Sequence, residues 1–206
     1  MQVSQIIVKM YLLNLSGGVD SVYTLWRWLE NNPKDKLLVH HILLKDQTNR
    51  WVKEKECVDK VLEYFKDYDI EYLESEFKDP TNEEEMAPNC IIEGAMSSII
   101  LRVKDVDTII MTSDKEDMEN TNYANYRRKI LLKLIEVGSR KRFKTIYPSK
   151  EKTKVDMIKE FPQELFNITW WCRKGGESYC GECASCKRIG DYLNSEKVKR
   201  WVLMRK

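Results

Sequence analysis

Nowhere in this chain do apolar residues run on for the roughly 20 positions that a membrane-crossing helix needs. Internal repeats and low-complexity tracts are also missing, so neither a solenoid nor a flexible linker is expected. Charge of one sign is not in excess. Lys and Arg number 35 against 33 Asp and Glu, a formal net charge of +2. Bulk charge therefore argues for neither a nucleic acid nor a membrane surface as partner. Histidine is scarce, with two in 206 residues, which speaks against a Cys/His nucleophile pair. Met1–Met10 holds one lysine and no small-residue cleavage site, so a secretory leader is not expected. These absences lead to the expectation of a cytoplasmic protein.

A chain of 206 residues suits one α/β domain with a small appendage. Its 42% hydrophobic content supports a core without disulfides. Apolar runs rich in β-formers at Ile6–Leu15, Leu37–Leu44 and Ile70–Leu73, and around Thr108–Met111, predict strands. Helical spacing of apolar residues predicts helices over Val19–Glu30, Trp51–Tyr68, Ile91–Val103, Tyr126–Val137 and Lys150–Phe161. The acidic stretch Phe77–Asn89, with two prolines, reads as a loop. This alternation predicts an α/β, Rossmann-like parallel sheet with helices on both faces. From Phe166 the composition turns to aromatics, glycine and cysteine. The expected division is 1–165 for the sheet domain and 166–206 for a C-terminal metal-binding segment packed on it.

Ser16-Gly17-Gly18-Val19-Asp20-Ser21 lies between the first predicted strand and the first predicted helix. Ligands of open parallel sheets bind at the carboxyl ends of strands. The first turn of the next helix points unpaired N–H groups at the same place. Adjacent glycines let the backbone approach an anion closely, and Ser16 and Ser21 add hydroxyls. A glycine turn followed by an Asp or Ser cap would carry the same letters. The string lacks the lysine and the glycine spacing of the ordinary mononucleotide loop.

Four of the six cysteines cluster as Cys172-x7-Cys180-x2-Cys183-x2-Cys186. Four thiolates at this spacing suit a tetrahedral zinc ion with no open position, a bracing and not a chemical role. An iron–sulfur cluster or plain thiols are the alternatives. Trp170 and Trp171 are expected to pack around this knuckle.

The string SGGVDS resembles the pyrophosphate loop of the ATP pyrophosphatase (PP-loop) family. Together with Asn167–Arg173 (NITWWCR), Lys150–Lys159 (KEKTKVDMIK) and the cysteine spacing, it resembles the 7-cyano-7-deazaguanine synthase branch. Asn49-Arg50-Trp51 with Glu54 is similar to a further stretch of that branch. The resemblance implies an adenine nucleotide alpha hydrolase-like sheet, with ATP and Mg²⁺ bound by Leu15, Ser16, Gly17, Gly18, Val19, Asp20 and Ser21. The adenine would lie near His41 and Ile42. Ser16, Asp20, Ser21 and Arg127 would carry the chemistry, and Asp117, Tyr123 and Arg127 would hold the substrate. Cys172, Cys180, Cys183 and Cys186 would hold Zn²⁺.

The implied reaction joins ammonia to 7-carboxy-7-deazaguanine, passing through the amide to the nitrile, in a homodimer. The region Thr112–Arg127 differs from the branch's usual pattern. That leaves an enzyme stopping at an amide or a conjugate, or a tRNA thiolation-type enzyme, as alternatives. Lys154 and Arg173 flank the expected cleft as candidates for phosphate contacts. Arg128 reads equally as a contact to a substrate carboxylate or the α-phosphate and as a solvated helix face. The basic run Arg140–Arg142 reads as solvated surface, with an RNA or a partner's acidic patch as the alternative.

Overall fold

A computed structural model of the chain describes residues 9–78, 89–119 and 123–194. Five strands form one all-parallel sheet: β1 (Met10–Asn14), β2 (Lys36–Lys45), β3 (Ile70–Lys78), β4 (Val106–Ile110) and β5 (Lys144–Ile146). Their spatial order is β3-β2-β1-β4-β5. Strand order thus reverses beside β1, and the crevice beyond the carboxyl ends of β1 and β4 is where such sheets bind ligands.

The helices are α1 (Val19–Asn31), α2 (Arg50–Tyr64), α3 (Asn89–Val103), α4 (Lys115–Glu119), α5 (Tyr123–Ser139), α6 (Lys154–Glu160), α7 (Gln163–Asn167) and α8 (Ala184–Asn194). Successive strand residues point to opposite faces, and the core divides accordingly. Leu13, Leu37 and Val39 meet Val22 and Leu25 of α1, Val58 and Val61 of α2, and Met157 of α6. Leu12, Leu38 and Ile109 meet Ile100 and Leu101 of α3 and Leu131 and Ile135 of α5. Helices therefore cover both faces, as the alternating pattern predicts. Among the described residues, no helix is long and apolar enough to cross a membrane.

Three boundaries stand out as different from the sequence reading. The helix expected to reach Tyr68 ends at Tyr64. Phe65 and Tyr68 keep their inward spacing in a turn, with the Tyr68 N–H on the Phe65 carbonyl (3.0 Å) and their rings in edge contact. β3 runs to Lys78, past the expected stop at Leu73, because it pairs with β2 over its whole length. It is an edge strand whose acids face out: Glu71 meets Lys104 and Lys36, and Glu76 meets Lys45. Charged edges of this kind block further strand addition, and the same charges imitate a loop in the sequence. The rest of the expected loop, 79–88, lies outside the described residues, as does the start of the first predicted strand. Two short elements, β5 and α4, and the helices α7 and α8 were not foreseen.

Finally, α6 begins at Lys154, four residues later than expected. Thr153 is its N-cap: its hydroxyl accepts from the Asp156 N–H (3.1 Å), while the Asp156 carboxylate accepts from the Thr153 N–H (3.0 Å). This reciprocal cap sets where Lys154 enters the crevice. Caps of this type contribute ~1 kcal/mol. Thr153→Ala should lower unfolding free energy by about that amount in chemical denaturation. Thr153→Ser should recover most of it.

Candidate active site and metal centre

Ser16–Ser21 leaves β1 and turns into α1 at the strand-order reversal. Gly17 sits at φ +74°, and a Cβ there would stand 2.9 Å from the Glu54 carbonyl oxygen and 3.0 Å from the Cys57 Cβ. Only glycine fits both the backbone angle and the space. Gly18 is the helix N-cap and makes no side-chain cap bond, so the first turn of α1 is left to be satisfied by something else.

Within the loop, the Ser16 N–H donates to Ser21 Oγ (3.2 Å), and the Ser21 hydroxyl donates to the Gly18 carbonyl (3.1 Å). Ser16 Oγ lies 3.1 Å from Ser21 Oγ. Ser21 is thus a buried brace. A second brace comes from β2, where His41 Nδ1–H donates to the Leu15 carbonyl (2.7 Å). Burial lowers the His41 pKa, so the ring is neutral and Nε2 carries no proton.

Two cavities meet at the loop. The larger, about 350 Å³, is bounded by Leu15, Ser16, Asp20, His41 and Ile42 on one side and by Asn89, Glu93, Thr112 and Arg127 on the other. The smaller, about 140 Å³, lies between Gly18, Val19 and Asp20, and reaches Lys154, Cys172 and Arg173. Arg50 and Glu54 of α2 border both and form an ion pair of 2.9 Å. Burial pushes the Glu54 carboxyl up, against the pull of Arg50.

Lys154 Nζ donates to Asp20 Oδ2 at 2.7 Å. Burial works against the Lys154 charge, but Asp20 outweighs it and holds the ammonium above its usual range. Asp20 Oδ1 is buried without a hydrogen-bond partner. Lys154, Arg50, Arg173 and the α1 N-terminus thus meet at one small cavity, with Asp20 and Glu54 beside them.

Of the residues expected at the site, Leu15, Ser16, Asp20, His41, Ile42 and Arg127 do line the larger cavity, and Gly18, Val19 and Asp20 the smaller. Asp117 lines neither. It lies exposed in α4, close enough to Asp20, Lys154 and Arg188 for their charges to act on it. Tyr123 starts α5, and its side chain lies outside the described residues. Arg128, which the sequence left open between a ligand contact and a solvated face, turns to Met118 and Asn125.

Sequence reading missed Asn14 and Glu93. Asn14 Nδ2 donates to Glu93 Oε1 (3.0 Å) and Ser97 Oγ (2.9 Å), and His40 Nδ1 lies 3.0 Å from Asn14 Oδ1. The available signal was Glu93 itself, the one acid in the otherwise apolar and small-residue helix α3.

The cysteine segment closes the smaller cavity. The Trp170 N–H donates to the Gly17 carbonyl (2.9 Å), and the Gly175 N–H to the Thr48 carbonyl (2.8 Å). A Cβ on Gly175 would stand 2.1 Å from the Thr48 oxygen, so only glycine allows this approach. Trp171 stacks between Phe166 (5.2 Å) and Tyr179 (3.9 Å), and Trp170 stacks on Tyr179 (4.6 Å). The tryptophans are packing, as expected.

The ligand sulfurs of Cys172, Cys180, Cys183 and Cys186 all lie within 4.8 Å of one another. Backbone N–H groups point at them, among them Lys174 to Cys172 and Cys186 to Cys183, each 3.4 Å. The Cys183 N–H chiefly draws the Cys180 thiol down to about 6. Such a donor set can hold a metal ion.

No family model matches the chain, and no curated protein does. Among solved structures, the U34-tRNA thiolase NcsA from Methanococcus maripaludis with its [4Fe-4S] cluster is similar, at a TM-score of 0.52 and 18% identity. The match covers 95% of this chain and 71% of that one. At that identity the likeness shows the fold: the Rossmann-like parallel sheet implied by the pyrophosphate-loop resemblance.

Burial lowers the His40 pKa from 6.5 to about 4, with His41 adding to the effect. Folding therefore favours the neutral ring. Its contribution is whole above pH 6.5 and is lost as the pH falls toward 4, by roughly 3 kcal/mol in total. The raised pKa values of Glu54, Glu93 and Asp114 act with the opposite sign, so the His40 share is read as a difference. Between pH 7 and 4.5, the wild type should lose more stability than His40→Asn in denaturant titrations. Equal pH slopes would count against it.

Proposed function

We propose that this chain is an ATP-dependent carbon–nitrogen ligase of the 7-cyano-7-deazaguanine synthase type. A carboxylate oxygen of 7-carboxy-7-deazaguanine attacks the α-phosphorus of ATP, and pyrophosphate leaves. Ammonia then attacks the acyl carbon and displaces AMP, giving the amide. A second ATP activates the amide oxygen, and loss of AMP and the two amide protons leaves the nitrile.

The observation that supports this reading is the joining of two cavities at Ser16–Ser21. One is cationic and sized for phosphates, and the other reaches Arg127. Loop N–H groups, Lys154 and Arg173 would hold the departing pyrophosphate, stabilising charge as it develops. Arg127 would hold the substrate carboxylate or the α-phosphate. Mg²⁺ would neutralise the phosphates, and the unpartnered Asp20 Oδ1 fits it as a ligand. Homodimer assembly is part of the reading and rests on the resemblance alone.

For the cysteines we read a structural Zn²⁺. Four sulfurs about 2.3 Å from one ion lie roughly 3.8 Å apart; Cys180 and Cys186 are 3.9 Å apart, and all four sulfurs lie within 4.8 Å of one another. Thiolates that each bind a separate iron of a cluster stand wider than that. A tRNA thiolation-type enzyme is the second reading, favoured by the similar thiolase and its cluster.

Incubation with ATP, Mg²⁺, ammonium and 7-carboxy-7-deazaguanine should release AMP and pyrophosphate and yield a nitrile by mass spectrometry. Product that stops at the amide, or a conjugate, would shift the reading to a related ligase. No AMP above the substrate-free control would sink it. As isolated, the protein should be colourless with one zinc per chain. Stripping the metal should weaken ATP binding at least tenfold, because Trp170 and Arg173 lose their placement. A brown protein containing iron would favour the thiolase reading.

A further inference from the structure

The larger cavity spans both faces of the sheet. Its α1/α2 side carries Asp20, Arg50 and the phosphate loop, and its α3/α5 side carries Glu93 and Arg127. On that second side a chain of hydrogen bonds runs from Ser75 through His40 and Asn14 to Glu93. The spacings are 2.9, 3.0 and 3.0 Å.

The direction of this chain follows from donor and acceptor chemistry. Burial keeps His40 neutral, so one ring nitrogen donates and the other accepts. Asn14 points its amide nitrogen at the Glu93 carboxyl and at Ser97 Oγ (2.9 Å). Asn14 Oδ1 can only accept, so His40 Nδ1 donates to it. His40 Nε2 is then the acceptor, and the Ser75 hydroxyl donates. Every proton points toward Glu93, which ends the chain as an acceptor.

A carboxyl fed only by donors is favoured in its ionised form. Burial raises the Glu93 pKa, and the Asn14 amide and the nearby Arg127 act against that rise, on the side of the carboxylate. One amide N–H occupies one of about four lone-pair positions on the carboxylate. The remaining positions can take two parallel N–H donors in the bidentate manner.

We propose that Glu93 is a specificity residue whose carboxylate accepts from the paired N–H donors of an aminopyrimidinone edge, so that the site takes guanine-type and rejects hypoxanthine-type bases. Asn14 and His40 are positioning residues that hold the carboxylate in place. The inference rests on the ligase reading for the identity of the substrate, but not for the edge it presents. Rejection follows because a base lacking the 2-amino group leaves a desolvated carboxylate partly unpaired.

The test is calorimetric binding to the full chain in the presence of a non-hydrolysable ATP analogue. The probes are 7-carboxy-7-deazaguanine and its counterpart lacking the 2-amino group, then 7-deazaguanine and 7-deazahypoxanthine. The wild type should prefer each amino-bearing probe roughly ten- to hundredfold. Glu93→Gln keeps an oxygen for Asn14 but replaces one acceptor with a donor. It should abolish that preference and leave affinity for the ATP analogue within about twofold.

His40→Gln should weaken the preference without abolishing it. Preference for the amino-bearing probes in wild type but unchanged in Glu93→Gln would overturn the inference while leaving the ligase reading intact. Failure of both bases of a pair to bind would also overturn it. Loss of ATP-analogue affinity in Glu93→Gln would overturn it too, by assigning Glu93 to the adenine. If 7-carboxy-7-deazaguanine yields no AMP in the turnover assay, yet 7-deazaguanine binds in a Glu93-dependent way, the inference stands and the ligase reading falls.

Discussion

A hydrogen bond from the Trp170 N–H to the Gly17 carbonyl ties the cysteine segment to the glycine loop after β1. It joins positions more than 150 residues apart in the chain. Gly17 can present that carbonyl only at positive φ and with no Cβ. In turn, Trp170 is held by stacking on Tyr179 and by packing beside Cys172 and Cys186. The smaller cavity exists because these parts meet. Arg173 and Asp20 both border it, together with Trp170.

From that joint outward, the site is built of contacts that brace one another. Ser21 and His41 hold the loop from within and below. The Thr153–Asp156 cap sets where α6 begins, and Asp20 then holds Lys154 against the loss of solvation that burial imposes. A buried ammonium is costly unless paired, so the pair is a condition for having a lysine there at all. On the opposite side of the sheet, the polar chain from Ser75 to Glu93 solves a similar problem for a carboxylate. An ammonium and a carboxyl group thus border one cavity system, each with its own hydrogen-bonded support.

Much of this was legible from residue order. The SGGVDS string between an apolar strand and an amphipathic helix located the loop, because glycine pairs and helix N-termini have few other uses in that position. Cysteine spacing located the four thiols that could hold a metal ion, since thiolates so close in sequence can reach one ion. Asp20–Lys154 was not legible as a pair. The two lie 134 positions apart, and although each was expected at the cleft, nothing in the sequence joins them as an ion pair. Asn14 and Glu93 were hidden for the same reason, although a lone acid in α3 was a usable hint. The acidic outer face of β3 actively misled, because a charged edge strand and a loop share a composition.

Sequence by itself determined the periodicities, and with them the α/β class, the loop's position and the four sulfur ligands. These are local properties, set by side-chain spacing of two or 3.6 residues and by short-range chain geometry. Only the tertiary structure decided which face of the sheet each polar group serves. It also decided that β1 lies at the strand-order reversal, and that Lys154, Arg173 and Glu93 converge on the loop. Those outcomes depend on strand order and helix packing, which join residues far apart in the chain and leave no periodic trace in it.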